Sequence, residues 1–207
     1  MTKIKICGIT NLRDALFAAR YGADALGFVF AESPRKINAV SAARIINQLP
    51  LFVFKIGVFV NAKKDDVLGI LHTCRLDALQ FHGEENNRYC GFFRKYCKII
   101  KAIRIKDTIP MKIIRQYKNI DAYLFDAYDK NIYGGTGRSF SWNILKNIPR
   151  HKPIIISGGI RPNNVIAVIK KLNPYAIDIS SGVEAYPGKK NLKQLKTLIQ
   201  TIKRKGV

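Results

Sequence analysis

Short apolar segments rich in β-branched residues alternate with amphipathic segments along the whole chain. The short segments predict strands, and the amphipathic ones predict helices because their apolar residues recur three and four positions apart. The strands are predicted at residues 3–7, 25–30, 53–59, 77–81, 99–103, 122–126, 153–156 and 176–179. The helices are predicted at residues 12–19, 42–49, 67–74, 89–96, 165–172 and 192–202, with weaker patterns at 109–117 and 142–148.

Two helix starts carry further signals. Asn61 is predicted to cap the third helix, because an asparagine side chain can accept a hydrogen bond from the first turn. Asp65 and Asp66 would favour the positive end of the same helix. Pro162 is predicted in the first turn of the seventh helix, where its missing N–H costs nothing.

The number of units decides between the possible α/β folds. Eight strand–helix units in 207 residues leave about 26 residues for each. No composition shift or linker divides the chain, so residues 1–207 are predicted to form one domain. Continuous alternation predicts a parallel sheet covered by helices, and eight units close a (β/α)8 TIM barrel. A doubly wound open sheet is the alternative.

The charge is unusual: 36 Lys and Arg against 14 Asp and Glu give a net charge of +22. Such a charge raises the possibility of a nucleic-acid-binding protein. The basic residues are spread along the chain rather than gathered in one arm or stripe, which favours a solvated surface. We expect no specific nucleic-acid partner, and an anionic substrate would be attracted by this charge.

Cysteine usage and hydropathy indicate a compartment. No pair of the four cysteines has C-x-x-C spacing, and only three histidines are present, so a zinc site is not expected. The N-terminal segment lacks the apolar stretch of a signal peptide. The longest apolar run, residues 51–60, is interrupted by Lys55 and is too short to cross a bilayer. The expectations are a reducing cytoplasm and no membrane association.

Reactive residues are sought where strands end, because a barrel carries its chemistry there. Cys7 ends the first strand, where a thiolate could act as a base and where a buried thiol could equally be a packing residue. Asp126 ends the sixth strand, where an apolar setting suits a general acid. The alternative for Asp126 is a carboxylate that faces a helix or caps a loop. Cys7 and Asp126 are expected to face each other across the barrel mouth. The remaining cysteines, Cys74, Cys90 and Cys97, are interpreted as packing residues.

Other strand ends offer binding groups. Arg35 follows the second strand and could hold a carboxylate through two parallel hydrogen bonds, or be a solvated surface residue. His82 ends the fourth strand and could bind substrate or order its loop, the second being favoured, whereas His72 and His151 are interpreted as surface residues. Gly135 lies in a glycine-rich loop, residues 128–139, that could act as a lid. This loop matches neither a Walker A nor a dinucleotide fingerprint, so no cofactor is expected.

The last two strands end in turns suited to a phosphate. Backbone N–H groups in the loops after strands seven and eight form the phosphate site of many barrels. The predicted phosphate-binding residues are Gly158, Gly159, Ser180, Ser181 and Gly182.

Eight motifs lie near the predicted strand ends in a fixed order: KICGIT at 5–10, GFVF-x-x-SPR at 27–35, IGVFVN at 56–61, QFHG at 80–83, FDA at 125–127, GGTGRSFSW at 134–142, SGGIRPNNV at 157–165 and DISSGVE at 178–184. With this order and spacing the chain resembles the phosphoribosylanthranilate isomerase family of tryptophan biosynthesis over essentially its whole length. The resemblance implies a TIM barrel of the ribulose-phosphate-binding type. It also implies a cofactor-free Amadori rearrangement of N-(5-phosphoribosyl)anthranilate to a 1-deoxyribulose 5-phosphate.

The resemblance also assigns roles. Asp126 would be the general acid that protonates the furanose ring oxygen, and Cys7 the general base that removes the C2 proton. Arg35 would hold the anthranilate carboxylate. The groups implied for the phosphate are Gly159, Ser180, Ser181 and neighbouring N–H groups.

Departures from the family leave the proposed acid and base untouched. Phe81 replaces the usual leucine of QLHG, Ser141 replaces the usual aspartate, and Ser157 often corresponds to alanine. The nearest alternative is another phosphosugar isomerase on a barrel, such as the histidine-pathway aminoaldose isomerase. The pattern of that enzyme has a carboxylate at both catalytic positions, whereas here Cys7 stands at one of the two. The expected partner is a phosphosugar substrate, and the expected state a monomer or homodimer.

Overall fold

A computed structural model describes residues 1–105, 108, 111–127, 144–145, 148 and 150–204. Eight parallel strands pair in chain order, and β1 pairs with both β2 and β8, which closes the barrel. The strands are β1 (Lys3–Cys7), β2 (Ala25–Val29), β3 (Phe54–Phe59), β4 (Ala78–Phe81), β5 (Lys98–Ile105), β6 (Ala122–Ala127), β7 (Ile154–Ser157) and β8 (Ala176–Ile179). The predicted TIM barrel is confirmed, and the open-sheet alternative is wrong.

The described helices follow the strands on the outside of the barrel. They are α1 (Leu12–Tyr21), α2 (Ala39–Ile46), α3 (Lys64–Cys74), α4 (Asn87–Phe92), α5 (Met111–Gln116), α6 (Val165–Leu172) and α7 (Leu192–Arg204). Two short strands, β9 (Glu184–Tyr186) and β10 (Lys189–Lys190), form an antiparallel pair before α7. Most of the segment predicted as a helix at 142–148 lies outside the described residues. None of the helices in the described ranges is long and apolar enough to cross a bilayer.

Asparagine side chains begin three of these helices. Asn11, Asn38 and Asn86 each accept a hydrogen bond from the backbone N–H three residues later, which satisfies a donor that the first turn leaves unpaired. Helix α7 buries Leu195 and Ile199 on one side. Three helices therefore begin at an asparagine cap, and α7 shows the apolar face with which a helix packs on the barrel.

The predicted cap at Asn61 is wrong. Helix α3 begins one residue after Lys63, whose side chain makes no capping bond. Asn61 instead adopts a left-handed backbone with φ of 51°, and its side-chain oxygen accepts the Glu84 N–H at 2.7 Å. Asparagine tolerates this conformation better than most residues, so its side chain here joins two loops. Asp65 and Asp66 do lie in the first turn, as predicted.

Pro162 is also placed differently from the prediction. It lies in a turn ahead of α6, whose N-cap residue is Asn164. The Asn164 side chain accepts from the Arg161 N–H and donates to the Gly159 carbonyl, so it closes the turn instead of capping the helix. The proline rigidifies this turn.

Alternation along the strands divides the interior of the barrel from its exterior core. Residues of even position in β4, β5 and β6 point inward and build an apolar layer with similar residues of β3, β7 and β8. The members of this inner cluster are Ile56, Ala78, Ile100, Ala102, Ala122, Leu124, Ile155 and Ala176. Because strand side chains alternate, the inward positions that follow toward the carboxyl ends must lie at the barrel mouth.

Candidate active site

A cavity of about 590 Å³ opens at the carboxyl ends of the barrel strands. It is lined by every predicted site residue that the structure describes: Cys7, Arg35, His82, Asp126, Gly158, Gly159, Ser180, Ser181 and Gly182. Gly135 and its loop lie outside the described residues. Residues from strand ends far apart in sequence thus share one concave site, as expected for a barrel.

Cys7 ends β1, and the ammonium groups of Lys5 and Lys190 both act electrostatically on its thiol. Its side chain is buried, and burial raises the pKa of the thiol above its ordinary value. The positive charges of Lys5 and Lys190 oppose this effect because they stabilise the thiolate. Lys190 also donates to the Cys7 backbone carbonyl at 2.6 Å. The negative charge of Asp178 acts in the same direction as burial, so the pKa of the enclosed thiol stays above its ordinary value although the two lysines lower it.

Asp126 and His82 contact each other at the opposite side of the mouth. The His82 Nε2 lies 3.2 Å from Asp126 Oδ2, and both side chains are about one-fifth exposed, at 19% and 22%. The two functions considered for His82 from sequence did not include this contact. The carboxyl group of Asp126 thus faces the cavity with one oxygen already hydrogen-bonded.

A polar layer lies inside the barrel beneath the cavity. The Lys5 ammonium donates to Asp178 Oδ2 at 2.9 Å and to Gln80 Oε1 at 2.7 Å. The other end of the Gln80 amide, Nε2, lies 3.2 Å from His82 Nδ1. Lys5, Gln80 and Asp178 are all at most 5% exposed. Burial lowers the pKa of Lys5, but Asp178 and Cys7 raise it more, so the ammonium form is retained.

Arg35 forms a forked ion pair with Glu184. Its Nε lies 2.9 Å from Glu184 Oε1, and its Nη2 lies 2.6 Å from Oε2. Lys190 donates to the same carboxylate at 2.9 Å. Burial by itself would raise the pKa of Glu184, but the hydrogen bonds and charges of Arg35 and Lys190 hold it below its ordinary value. The guanidinium is therefore oriented by a buried carboxylate at the edge of the cavity.

The turns after β7 and β8 form the remaining wall. The Ser180 hydroxyl is buried and has no hydrogen-bond partner within the described part of the chain. Gly182 packs so closely on this turn that a Cβ atom there would overlap the carbonyl oxygen of Ile160. Gly8, with φ of 73°, similarly leaves room for the Arg35 and Ser180 side chains. Unpaired hydroxyl and accessible backbone N–H groups are what an oxyanion requires.

The sequence of residues 4–201 matches the family model of N-(5'phosphoribosyl)anthranilate (PRA) isomerase. The chain belongs to this family. A curated family member from Citrifermentans bemidjiense is 47% identical over 205 residues, covering 99% of this chain and 98% of that protein. The corresponding protein of Caldanaerobacter subterraneus is 40% identical over 203 residues, with 98% of both chains covered.

Solved structures of the family have the same architecture. The phosphoribosyl anthranilate isomerase of Thermotoga maritima superposes with a TM-score of 0.91 at 40% identity and covers 99% of this chain and 100% of its own. A phosphoribosyl anthranilate isomerase in complex with reduced 1-(o-carboxyphenylamino)-1-deoxyribulose 5-phosphate superposes with a TM-score of 0.87 at 39% identity, with coverage of 99% and 100%. The family barrel is thus retained from end to end.

Sequence reasoning missed the polar residues Gln80, Arg104 and Asp178, which line the cavity, and Lys5, which lies beneath it. Lys5, Gln80 and Asp178 each stand two residues before a predicted site residue, so they point into the barrel, and this alternation was the signal that could have found them. Arg104, paired in register with Asp126, was missed because the fifth strand was predicted to end at residue 103 and extends to Ile105.

The other cysteines and histidines lie where packing and solvation predict. Cys74 and Cys90 are buried against the core, and Cys97 is partly buried against it. His72 and His151 are exposed. Across the described ranges, no cluster of three or more His, Cys, Asp or Glu side chains could hold a metal ion.

Proposed function

We propose that this protein converts N-(5-phosphoribosyl)anthranilate to 1-(2-carboxyphenylamino)-1-deoxyribulose 5-phosphate. The reaction is an Amadori rearrangement that uses a general acid and a general base. The observation that carries the proposal is the joint presence of Cys7 and Asp126 on one cavity, beside anion-type turns, in a chain of the PRA isomerase family.

Asp126 acts first in this proposal. Its protonated carboxyl gives a proton to the furanose ring oxygen, and the bond between that oxygen and C1 breaks. The lone pair of the anthranilate nitrogen forms the new C1–N double bond, so the ring opens to a protonated Schiff base. The His82 ring N–H at 3.2 Å stabilises the carboxylate that remains.

Cys7 acts second. Its thiolate removes the C2 proton, and the released electron pair forms a C1–C2 double bond while the nitrogen becomes neutral. The resulting enolamine takes up a proton at C1 as the C2 hydroxyl becomes a ketone, so the product is an isomer of the substrate. Lys5 and Lys190 support this step because both act electrostatically on the Cys7 thiol and favour its ionised form.

The ends of the substrate have separate proposed sites. The phosphate binds to the turns after β7 and β8, where the buried Ser180 hydroxyl and the close packing at Gly182 support an oxyanion site. The remaining proposed phosphate-site residues are Gly158, Gly159 and Ser181. The anthranilate carboxylate binds Arg35, whose guanidinium Glu184 orients. His82 and Gly135 remain predicted binding residues.

The surroundings of the enzyme are also proposed. All four cysteines are free thiols, which suits the reducing cytoplasm predicted from sequence. A solved structure shows mutually generated monomers of the dimeric T. maritima relative, at 37% identity. A monomer or a homodimer therefore stays the prediction for this chain.

Turnover of two substrates tests the proposed function. The purified protein is mixed with N-(5-phosphoribosyl)anthranilate, and loss of anthranilate-type fluorescence is followed. The aminoaldose phosphate of the histidine pathway is the comparison substrate, because it carries a phosphosugar without an anthranilate carboxylate. Fast conversion of the first substrate supports the proposal. Conversion of the second alone would assign the chain to the alternative isomerase.

A further inference from the structure

Lys5 is a buried cation at the centre of a chain of hydrogen bonds that reaches the proposed acid. Its ammonium is anchored on Asp178 at 2.9 Å and contacts Gln80 Oε1 at 2.7 Å. From Gln80 the chain continues through His82 to Asp126. The side chains that form it come from β1, β4, the residue after β4, β6 and β8, so the closed barrel brings them together.

The ammonium determines which way the Gln80 amide points. A lysine ammonium has only donors, so the amide must present its carbonyl oxygen to Lys5. The reverse orientation would set the amide NH₂ against the ammonium, with two donors facing each other in a buried site. The Gln80 Nε2 group therefore has to face His82 as a donor.

This orientation determines the proton on the imidazole. Gln80 Nε2 lies 3.2 Å from His82 Nδ1, so Nδ1 must be the acceptor nitrogen of a neutral ring. The ring proton then lies on Nε2, from which it points to Asp126 Oδ2 at 3.2 Å. An imidazolium has no acceptor nitrogen and could not receive the Gln80 donor.

We infer that Lys5 and Gln80 are positioning residues for the acid: they hold His82 in the tautomer that donates from Nε2 to Asp126. The inference rests on the proposed function for its catalytic part. A bound Oδ2 leaves Oδ1 as the oxygen that carries the acidic proton toward the substrate. The same N–H then stabilises the carboxylate after the proton has left, without any movement of the side chains.

The decisive variant is Gln80→Glu, which has nearly the same shape. Lys5 keeps the new carboxylate ionised, so residue 80 becomes an acceptor on both sides. His82 must then carry a proton on Nδ1. Either the Nε2 proton is lost and with it the donation to Asp126, or the ring becomes an imidazolium that sets a full positive charge against the Asp126 carboxyl group, and both outcomes disturb the acid. General acids contribute about 10²- to 10⁴-fold to a rate, so we expect kcat to fall by about 10- to 100-fold. KM should change less than about threefold.

Nitrogen NMR reads the tautomer independently of turnover. The chain has only three histidines, and His72 and His151 are exposed, so they serve as internal references. In ¹⁵N-histidine-labelled wild type, His82 should carry its proton on Nε2, and in Gln80→Glu it should carry one on Nδ1. The His82→Asn variant identifies the signals of this ring.

A matched control and a second variant make the test decisive. Lys55→Met removes a partly buried lysine of β3 that pairs with Asp77, the residue before β4, and it should leave kcat and the His82 signals unchanged. If Gln80→Glu does not fold, Gln80→Met keeps the Lys5–Asp178 pair and removes both amide hydrogen bonds. It should also lower kcat by at least about tenfold, with both tautomers of His82 populated.

Two results would overturn the inference: His82 signals that stay unchanged in Gln80→Glu, or a Gln80 variant with the wild-type kcat. Failure of the proposed function is a different result, namely a wild-type protein that does not convert N-(5-phosphoribosyl)anthranilate. In that case the nitrogen spectra still decide whether Gln80, as Lys5 orients it, sets the tautomer of His82, and only the claim of an effect on catalysis is withdrawn.

Discussion

The guanidinium of Arg35 and the carboxylate of Glu184 form a forked ion pair beside the cavity, with N–O distances of 2.6 to 3.1 Å. Glu184 follows the turn after β8, and Arg35 lies in the loop after β2. The pair therefore links the proposed carboxylate-binding group to the same turn that is proposed to hold the phosphate. The proposed binding groups for the two ends of the substrate are therefore connected to each other through this ion pair.

Removal of Arg35 should weaken binding of the anthranilate end. For Arg35→Ala we expect KM to rise about 10- to 100-fold, since a hydrogen bond to a charged group is worth about 1.5–3 kcal/mol. The change in kcat should be smaller. Calorimetric titration with reduced 1-(o-carboxyphenylamino)-1-deoxyribulose 5-phosphate measures the loss directly. Arg44→Ala, on the exposed face of α2, is the control. Unchanged affinity for the analogue would remove Arg35 from the carboxylate site.

Glu184 should make the folded protein sensitive to acid. Its pKa is lowered in the folded state, so the ionised carboxylate stabilises the fold above its ordinary pKa. This contribution is lost as the pH falls through the lower, folded-state pKa. Urea unfolding at neutral and acidic pH should therefore show a smaller pH difference for Glu184→Gln than for wild type. An equal difference in both proteins would show that other carboxylates are responsible.

The activity should depend on pH through Cys7. Burial raises the pKa of this thiol, so kcat/KM of the free enzyme should increase as the pH rises toward that raised value. Lys190 lowers the pKa of Cys7, so Lys190→Met should move the ascending limb to higher pH. Lys189→Met, which removes the neighbouring lysine that pairs with Asp14, is the control. A limb at the same pH in Lys190→Met would contradict an ionising Cys7.

Alanine at two glycine positions should affect different properties: substrate binding at Gly182 and stability at Gly69. In Gly182→Ala the new methyl group would overlap the Ile160 carbonyl, so the proposed phosphate turn must shift. We expect a KM at least about tenfold higher, the effect of one charged hydrogen bond. Gly69 lies in α3, and a methyl group added there meets no atom within 4 Å. Gly69→Ala should therefore raise the free energy of unfolding by about 1 kcal/mol, because alanine favours a helix more than glycine does. Steady-state kinetics and urea titration of both variants test the pair. A Gly182→Ala protein with the wild-type KM would argue against a phosphate at this turn.

The barrel and the main cavity residues could be predicted because they depend on local patterns. The apolar pattern of each strand placed Cys7 and Asp126 at strand ends. Because all strands of such a barrel are parallel, their carboxyl ends lie together at one mouth. The Lys5 network could not be predicted from the sequence, because its two hydrogen bonds join residues that are separated by 75 and by 173 positions along the chain. Which inward side chains meet depends on barrel closure and register, and neither is visible in one strand. The Arg35–Glu184 pair, separated by 149 residues, was missed for the same reason.

Asn61 shows a different limit. An asparagine before an acidic first turn is a common helix start, and the local sequence offers no sign of the competing partner. Glu84 and Glu85 supply that partner from the loop after β4. Contacts between loops outweighed the local preference, so α3 begins without a side-chain cap.

The central claim is that Asp126 and Cys7 act as acid and base on one bound substrate. Single-turnover fluorescence with N-(5-phosphoribosyl)anthranilate tests it in wild type, Cys7→Ser and Asp126→Asn, with folding of each variant checked by circular dichroism. The account predicts that both variants bind the reduced product analogue, yet turn over at least about 100-fold more slowly, because a general acid or base contributes about 10²- to 10⁴-fold. A near-normal rate in either variant would contradict it.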